Sequence, residues 1–396
     1  MAWLDAQSLA AAVVIGTIGG IAVIYAGFLC LCAIPFVQRN AVYAYRINSL
    51  LWSNVNKPER WGFAKNQVTP FWINVPGSES KVYAWHVMPL NVYAKHEERL
   101  LKQAEGPHED FTHTETFKTI KADPNSRVVI SFHGNAGHIA QGVRPQHYHC
   151  VAMMPSTHVI TMDYRGFGHS PGSPTEDGLI ADGIATVYFV LHVLEIPASR
   201  VVIIGQSLGT AVASAVAERF SQKGIDFAGI VLVAGFSSLP TMLSGYAIGG
   251  VLPVLKPLTL CPPLLRMFMR CVIDKWESAN RLAEMVRVVL ERDGHMHLQL
   301  VHAINDGDIP CIESDKLFAA AVKGAADLDD KALADLKDEL TVRKGLGFSA
   351  LYTQGHVKIS QELVTNGGHN DVMLYAAVQL TLTRALEGCV GRDMDH

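Results

Sequence analysis

Residues 201–210 read VVIIGQSLGT, and the fold turns on how that stretch is taken. Four consecutive β-branched residues suit a strand buried on both faces, because neither side shows polar alternation. The stretch after Ser207 has helical composition, so Gly205-Gln206-Ser207-Leu208-Gly209 stands where a strand turns into a helix. A G-x-S-x-G there lifts the serine hydroxyl out of the sheet on a turn so sharp that the positions two before and two after must be tiny. Ser207 is therefore the candidate nucleophile, with Leu208 offering its backbone N–H to a developing oxyanion. The motif alone is short enough to arise by chance. Its setting carries the reading.

Outward from this turn, β-branched runs alternate with helical stretches, which predicts a mostly parallel sheet covered on both faces. The predicted strands are Lys81–Val87, Arg127–Phe132, His158–Asp163, Arg200–Gly205, Phe227–Val233, His297–His302 and Val357–Val364. The predicted helices include Thr175–Leu194, Leu208–Gln222, Glu277–Glu291, Ser314–Lys323 and Val372–Glu387. Three stretches interrupt the pattern: a polar, charged one at 94–125, a proline-rich apolar one at 236–275, and a Lys/Asp/Gly-rich one at 322–347. The first and third are expected as solvated insertions, the second as a cap.

Three further pieces can complete the chemistry. His133-Gly134-Asn135-Ala136-Gly137 ends the strand VVISF, where the Asn135 N–H would be a second oxyanion donor. His302–Pro310 (HAINDGDIP) follows a strand and offers Asp306 and Asp308. His369, in NGGHND, lies between the last strand and the last helix. The order serine, acid, histidine lets His369 act as general base while a carboxylate orients its ring. His147, His149 and Cys150 lack a second cluster at zinc spacing, so neither a metal nor another cofactor is expected.

No charged side chain occurs between Asp5 and Arg39, and Leu9–Ile34 is almost wholly apolar. About 20 such residues in a helix cross a hydrocarbon core near 30 Å. The run is too long and lacks the basic start of a cleaved signal, so it reads as a retained anchor. Gly16 and Gly20 form a G-x-x-x-G that could support a homodimer. Trp52, Trp61, Tyr43 and Tyr45 could sit at the headgroup level or begin the soluble fold. Arg39 and Arg46 place the following domain in the cytosol by the positive-inside rule.

The chain of 396 residues, with a net charge of −4 and 49% hydrophobic residues, has no basic footprint for nucleic acid. Its seven cysteines show no disulfide spacing.

Taken together, HGNAGH (133–138), DYRGFGHSPGSP (163–174), GQSLGT (205–210), HAINDGDIP (302–310) and GGHND (367–371) resemble one family. They look like the membrane-anchored α/β-hydrolase-domain serine lipases whose known members cleave monoacylglycerols and lysophosphatidylserine. The likeness runs over residues 70–390. It implies an α/β-hydrolase fold, and an acid in the pattern H-(G or A)-x-x-D-x-x-(V or I)-P, here Asp306 rather than Asp308. It also implies the endoplasmic reticulum, in some members with the catalytic domain in the lumen, against the Arg39/Arg46 asymmetry. The side stays open.

The expected organisation is an anchor at 1–40 (span 9–34), a linker at 41–69 and a hydrolase domain at 70–396. Removing residues 1–38 is expected to free the domain from membranes with its site intact. A bilayer-held enzyme under an apolar cap (Leu252, Val254, Leu255, Leu258, Leu260, Leu264, Leu265, Met267, Phe268) suits a lipid ester. Such a substrate stays in the membrane because each buried methylene is worth roughly 0.8 kcal/mol. An acyl-protein thioesterase, or a non-catalytic scaffold that kept the fold, would use the same framework.

Overall fold

The computed structural model describes all residues except 1, 51–52, 246, 249–251, 254 and 389–396, and the backbone alone at 2–9, 247–248 and 252–253. Trp52, Val254, Cys389 and the side chain of Leu252 thus lie outside what is described.

The strands are β1 (Val68–Asn74), β2 (Lys81–Val87), β3 (Arg127–Phe132), β4 (Thr157–Met162), β5 (Val201–Gln206), β6 (Gly229–Val233), β7 (Ala247–Ile248), β8 (Leu252–Pro253), β9 (Met296–Ala303), β10 (Thr341–Lys344), β11 (Gly347–Gln354) and β12 (Val357–Val364). The first seven helices are α1 (Ala2–Cys32), α2 (Pro35–Tyr43), α3 (Leu90–Leu100), α4 (Glu115–Ala122), α5 (Arg144–Ala152), α6 (Glu176–Tyr188) and α7 (Leu208–Ser221). The rest are α8 (Leu239–Gly245), α9 (Pro262–Arg270), α10 (Ser278–Glu291), α11 (Ile312–Ala325), α12 (Asp330–Leu340) and α13 (Ala376–Glu387).

One sheet of 10 strands runs β1-β2-β4-β3-β5-β6-β9-β12-β11-β10. From β4 to β12 all neighbours are parallel, and the flanking strands are antiparallel. Parallel neighbours need crossovers, and the helices of those crossovers bury both faces. Accordingly Val201 and Ile203 enter the core on one face, and Val202 and Ile204 that on the other. Strand order reverses between β3 and β5, which opens a crevice at their carboxyl ends. His133 and Ser207 follow those two ends.

Several expectations need correction. Residues 41–69 are no linker: Tyr43, Val55 and Phe63 are buried, and Tyr43 and Tyr45 join the main core. The 94–125 stretch is no solvated insertion. Its Leu100, Phe111 and Ile120 are buried, with the Phe111 ring 4.5 Å from that of Phe71. The 322–347 stretch holds α12 and β10, which pairs with β11. β1, on the opposite edge, carries Pro70, a residue that edge strands tolerate and that hides a strand from sequence.

Within α1, Ala10–Cys32 is long and apolar enough to cross a membrane, and none of it is buried against the protein. Residues 35–43 are α2, which packs against the rest of the protein. Gln38 donates to Cys271 O (2.8 Å) and accepts from Ile273 N–H (3.0 Å). Removing residues 1–38 would therefore cut into the folded unit.

Candidate active site

Ser207 sits between β5 and α7 with φ 54° and ψ −122°. A non-glycine residue in such a conformation costs on the order of 1–3 kcal/mol and persists only where its surroundings enforce it. Here they do. A Cβ on Gly205 would lie 2.2 Å from Gly209 O, and one on Gly209 would lie 2.0 Å from Phe132 O. The two glycines let the backbone fold this tightly, and the Ser207 N–H is held by Val233 O at 3.0 Å.

The loop after β3 comes alongside. A Cβ on Gly134 would meet the Ser207 Cβ at 3.3 Å. The N–H groups of Asn135 and Leu208 donate to no other described residue, so both are available to a ligand. Ala136 N–H donates to Tyr43 O (3.0 Å) and Gly137 N–H to Ile47 O (2.9 Å), tying the loop to the segment after α2. His133 is buried, its ring packed 4.5 Å from that of Tyr164.

Arg144, which sequence reasoning missed, holds the same loop from beneath. Its guanidinium donates to Gly134 O (3.1 Å), Asn135 O (3.0 Å), Ala136 O (3.0 Å) and His138 O (2.6 Å). Only its spacing from HGNAGH hinted at it. Nearby, burial pushes the Asp163 carboxyl up to about 7, against the pull of the Ile139 N–H and the Arg144 charge.

The acid and the imidazole meet on the far side. His369 Nδ1 is 2.8 Å from Asp306 Oδ2. Oδ1 of Asp306 accepts the N–H groups of Asp308 and Ile309, both at 2.9 Å, and His302 Nε2 lies 3.2 Å from Oδ2. Burial alone would raise the Asp306 carboxyl. The hydrogen bonds from His302 and His369, the His369 charge and the Ile309 N–H outweigh it and hold the group well below the ordinary carboxylate range. Between the two sequence candidates, the imidazole bonds Asp306. Ligand atoms of Asp306, Asp308 and His369 lie within 4.8 Å of one another, as a metal site would require. Both Asp306 oxygens are already occupied by donors, however, which is the pattern of a carboxylate orienting a ring.

Two more residues went unread in the sequence. Gln206 Nε2 donates to His369 O (3.1 Å) and Asn370 Oδ1 (3.0 Å), clamping the histidine loop to the serine strand. Asn305 Oδ1 accepts the Gly368 N–H at 2.9 Å. Ser207, His369 and Asn135 then line one cavity of about 520 Å³, whose other walls are largely apolar. The His369 Nε2 atom has no partner among the described residues.

A strained serine at a strand–helix turn, two free N–H groups beside it and a carboxylate-held imidazole define a nucleophile, an oxyanion cradle and a base on one sheet edge. Comparison with known proteins agrees. The alpha/beta hydrolase family model matches residues 129–378, and the chain belongs to that family. It is 26% identical over 205 residues to the lysophosphatidylserine lipase ABHD12 of Danio rerio, covering 52% of this chain and 48% of that one. It is 34% identical over 142 residues to human protein ABHD12B, covering 36% and 37%. The match thus spans about half of ABHD12. An alpha-beta hydrolase from Vibrio vulnificus superposes with a TM-score of 0.52 at 13% identity, covering 90% and 94%, a likeness of fold.

Proposed function

We propose that the chain is a serine hydrolase that cleaves carboxylic esters of single-chain membrane lipids, a monoacylglycerol or a lysophospholipid, with Ser207, Asp306 and His369 as its triad. His369 Nε2 takes the Ser207 proton as Oγ attacks the ester carbon. The Asn135 and Leu208 N–H groups receive the oxyanion. Collapse breaks the bond to the alcohol, which leaves with the proton from His369, and an acyl group stays on Ser207. Water, deprotonated by the same imidazole, then releases the fatty acid and restores the serine.

The observation that carries this reading is the 2.8 Å contact between His369 and Asp306 on the cavity that Ser207 also lines. The lipid substrate rests on the apolar walls of that cavity, on the span at Ala10–Cys32, and on the printed activity of ABHD12.

A fluorophosphonate probe tests the nucleophile. Wild type should be labelled and Ser207→Ala should not. Equal labelling of both would end the serine-hydrolase reading. Lipid extract incubated with each, then profiled, should lose a single-chain ester with wild type alone.

A further inference from the structure

We infer that the last turns of the membrane helix form one wall of the acyl-chain site, so that a lipid enters the pocket sideways from the bilayer along α1. This rests on the hydrolase reading above and adds a route to it.

The cavity has a polar end and an apolar end. Ser207 and His369 stand at the first. Phe28 and Cys32 of α1 and Val42 of α2 line the second, facing Met242 and Phe268 of the cap. An isolated anchor, joined to its domain by a tether, would contribute nothing to such a wall. Here the anchor is fixed in place. Gln38 bonds both Cys271 O and the Ile273 N–H, and the Tyr43 hydroxyl donates to Asp274 Oδ2 at 2.7 Å.

Depth follows from helix geometry. The 23 residues of the span cover about 35 Å, slightly more than a hydrocarbon core of about 30 Å. Phe28 lies one turn, about 6 Å, deeper than Cys32. A cavity that touches both side chains reaches the level at which acyl chains begin. A single-chain lipid can move into it without its tail crossing water.

The surface around this end of the molecule is apolar and uncovered. Leu260 is 88% exposed, Met267 60%, Phe36 60% and Ile273 54%. These side chains continue the apolar face of the span onto α2 and the cap. That continuity commits their partner to the bilayer, with Arg266 and Arg270 of α9 placed to meet phosphate headgroups.

The test uses the full-length protein in phosphatidylcholine vesicles. Phe28→Trp and Cys32→Trp narrow the bilayer end of the cavity, and Val23→Trp, at a position 72% exposed on the same helix, is the control. The readout is the ratio of oleoyl-glycerol turnover to p-nitrophenyl butyrate turnover. It should fall at least tenfold in the first two variants and stay within twofold in the third. A ratio unchanged in all three overturns the proposal. So that misfolding of a variant cannot decide the matter, Ser207→Ala protein is photolysed with a monoacylglycerol carrying a diazirine at its chain end. Crosslinks should map to residues 28–42 and 242–268, and crosslinks confined to other parts of the chain overturn the proposal. Fluorophosphonate labelling of wild type reports separately on the underlying hydrolase reading, so the two failures cannot be confused.

Discussion

The Nδ1 atom of His369 lies 2.8 Å from Oδ2 of Asp306 although 63 residues separate them in the chain. That bond orients the ring so that Nε2 is left for other work, and it sets the first prediction. Asp306→Asn should lower turnover by about 10²–10⁴, because the amide cannot balance the imidazolium that forms. Asp308→Asn should cost less than about tenfold. Steady-state kinetics on a short soluble ester decide between them, and the reverse order would move the acid to Asp308.

The same carboxylate predicts a pH dependence. Its pKa is depressed in the folded protein, so its contribution to stability is present above the unfolded value of about 4 and is lost as pH falls through the folded value. The stability gap between wild type and Asp306→Asn should therefore be constant from pH 7 to 5 and shrink below pH 4. Thermal unfolding of both proteins across that range measures it. A gap that widens in acid would contradict the hydrogen-bond pattern.

The strained Ser207 backbone predicts a variant that is dead but firmer. Ser207→Ala keeps the Cβ and its strain, whereas Ser207→Gly removes both. Offset by the greater freedom of glycine in the unfolded chain, the gain should be about 1 kcal/mol for Gly over Ala. Urea midpoints of the two inactive variants in one detergent give the comparison. Equal midpoints would mean the turn is relaxed.

Arg144 touches no cavity wall, yet it holds four carbonyls of the oxyanion loop. Arg144→Leu should lower kcat by about tenfold or more with little change in KM, since a displaced N–H weakens transition-state binding first. Fluorophosphonate labelling should slow in proportion. A fall in Tm with kcat preserved would make the residue purely structural.

Truncation should expose where the folded unit begins. A chain starting at residue 34 keeps Gln38 and the buried Tyr43, whose hydroxyl meets both Asp274 and the Trp276 indole N–H (3.3 Å). It should remain folded and monodisperse in detergent by circular dichroism and gel filtration. A chain starting at residue 48 loses Tyr43 and Tyr45, each worth about 1.5–3 kcal/mol of buried surface, together with both backbone ties to the oxyanion loop. It should aggregate.

Much of the fold was legible because the central strands are buried on both faces and read as unbroken β-branched runs. Lys81–Val87, Arg127–Phe132 and Val357–Val364 coincide with β2, β3 and β12. β1, β10 and β11 lie toward the edges, mix polar and apolar residues and pair antiparallel, so no local signal marks them. Residues 41–69 misled for a related reason. Their aromatic side chains follow no period, and only the surfaces they meet show that they are core.

The glycine turn at Ser207 could be read from sequence alone, since the requirement for two missing Cβ atoms is local and needs no neighbour from afar. Which acid meets the imidazole could not. The parallel register of β9 and β12 sets Ala303 beside Val364, so the loops carrying Asp306 and His369 emerge together, and two residues of difference along the first loop choose the partner. Likewise the apolar run at the N-terminus announces a span by composition, but its place against the cavity comes from Gln38, Tyr43 and the cap, contacts between segments more than 200 residues apart.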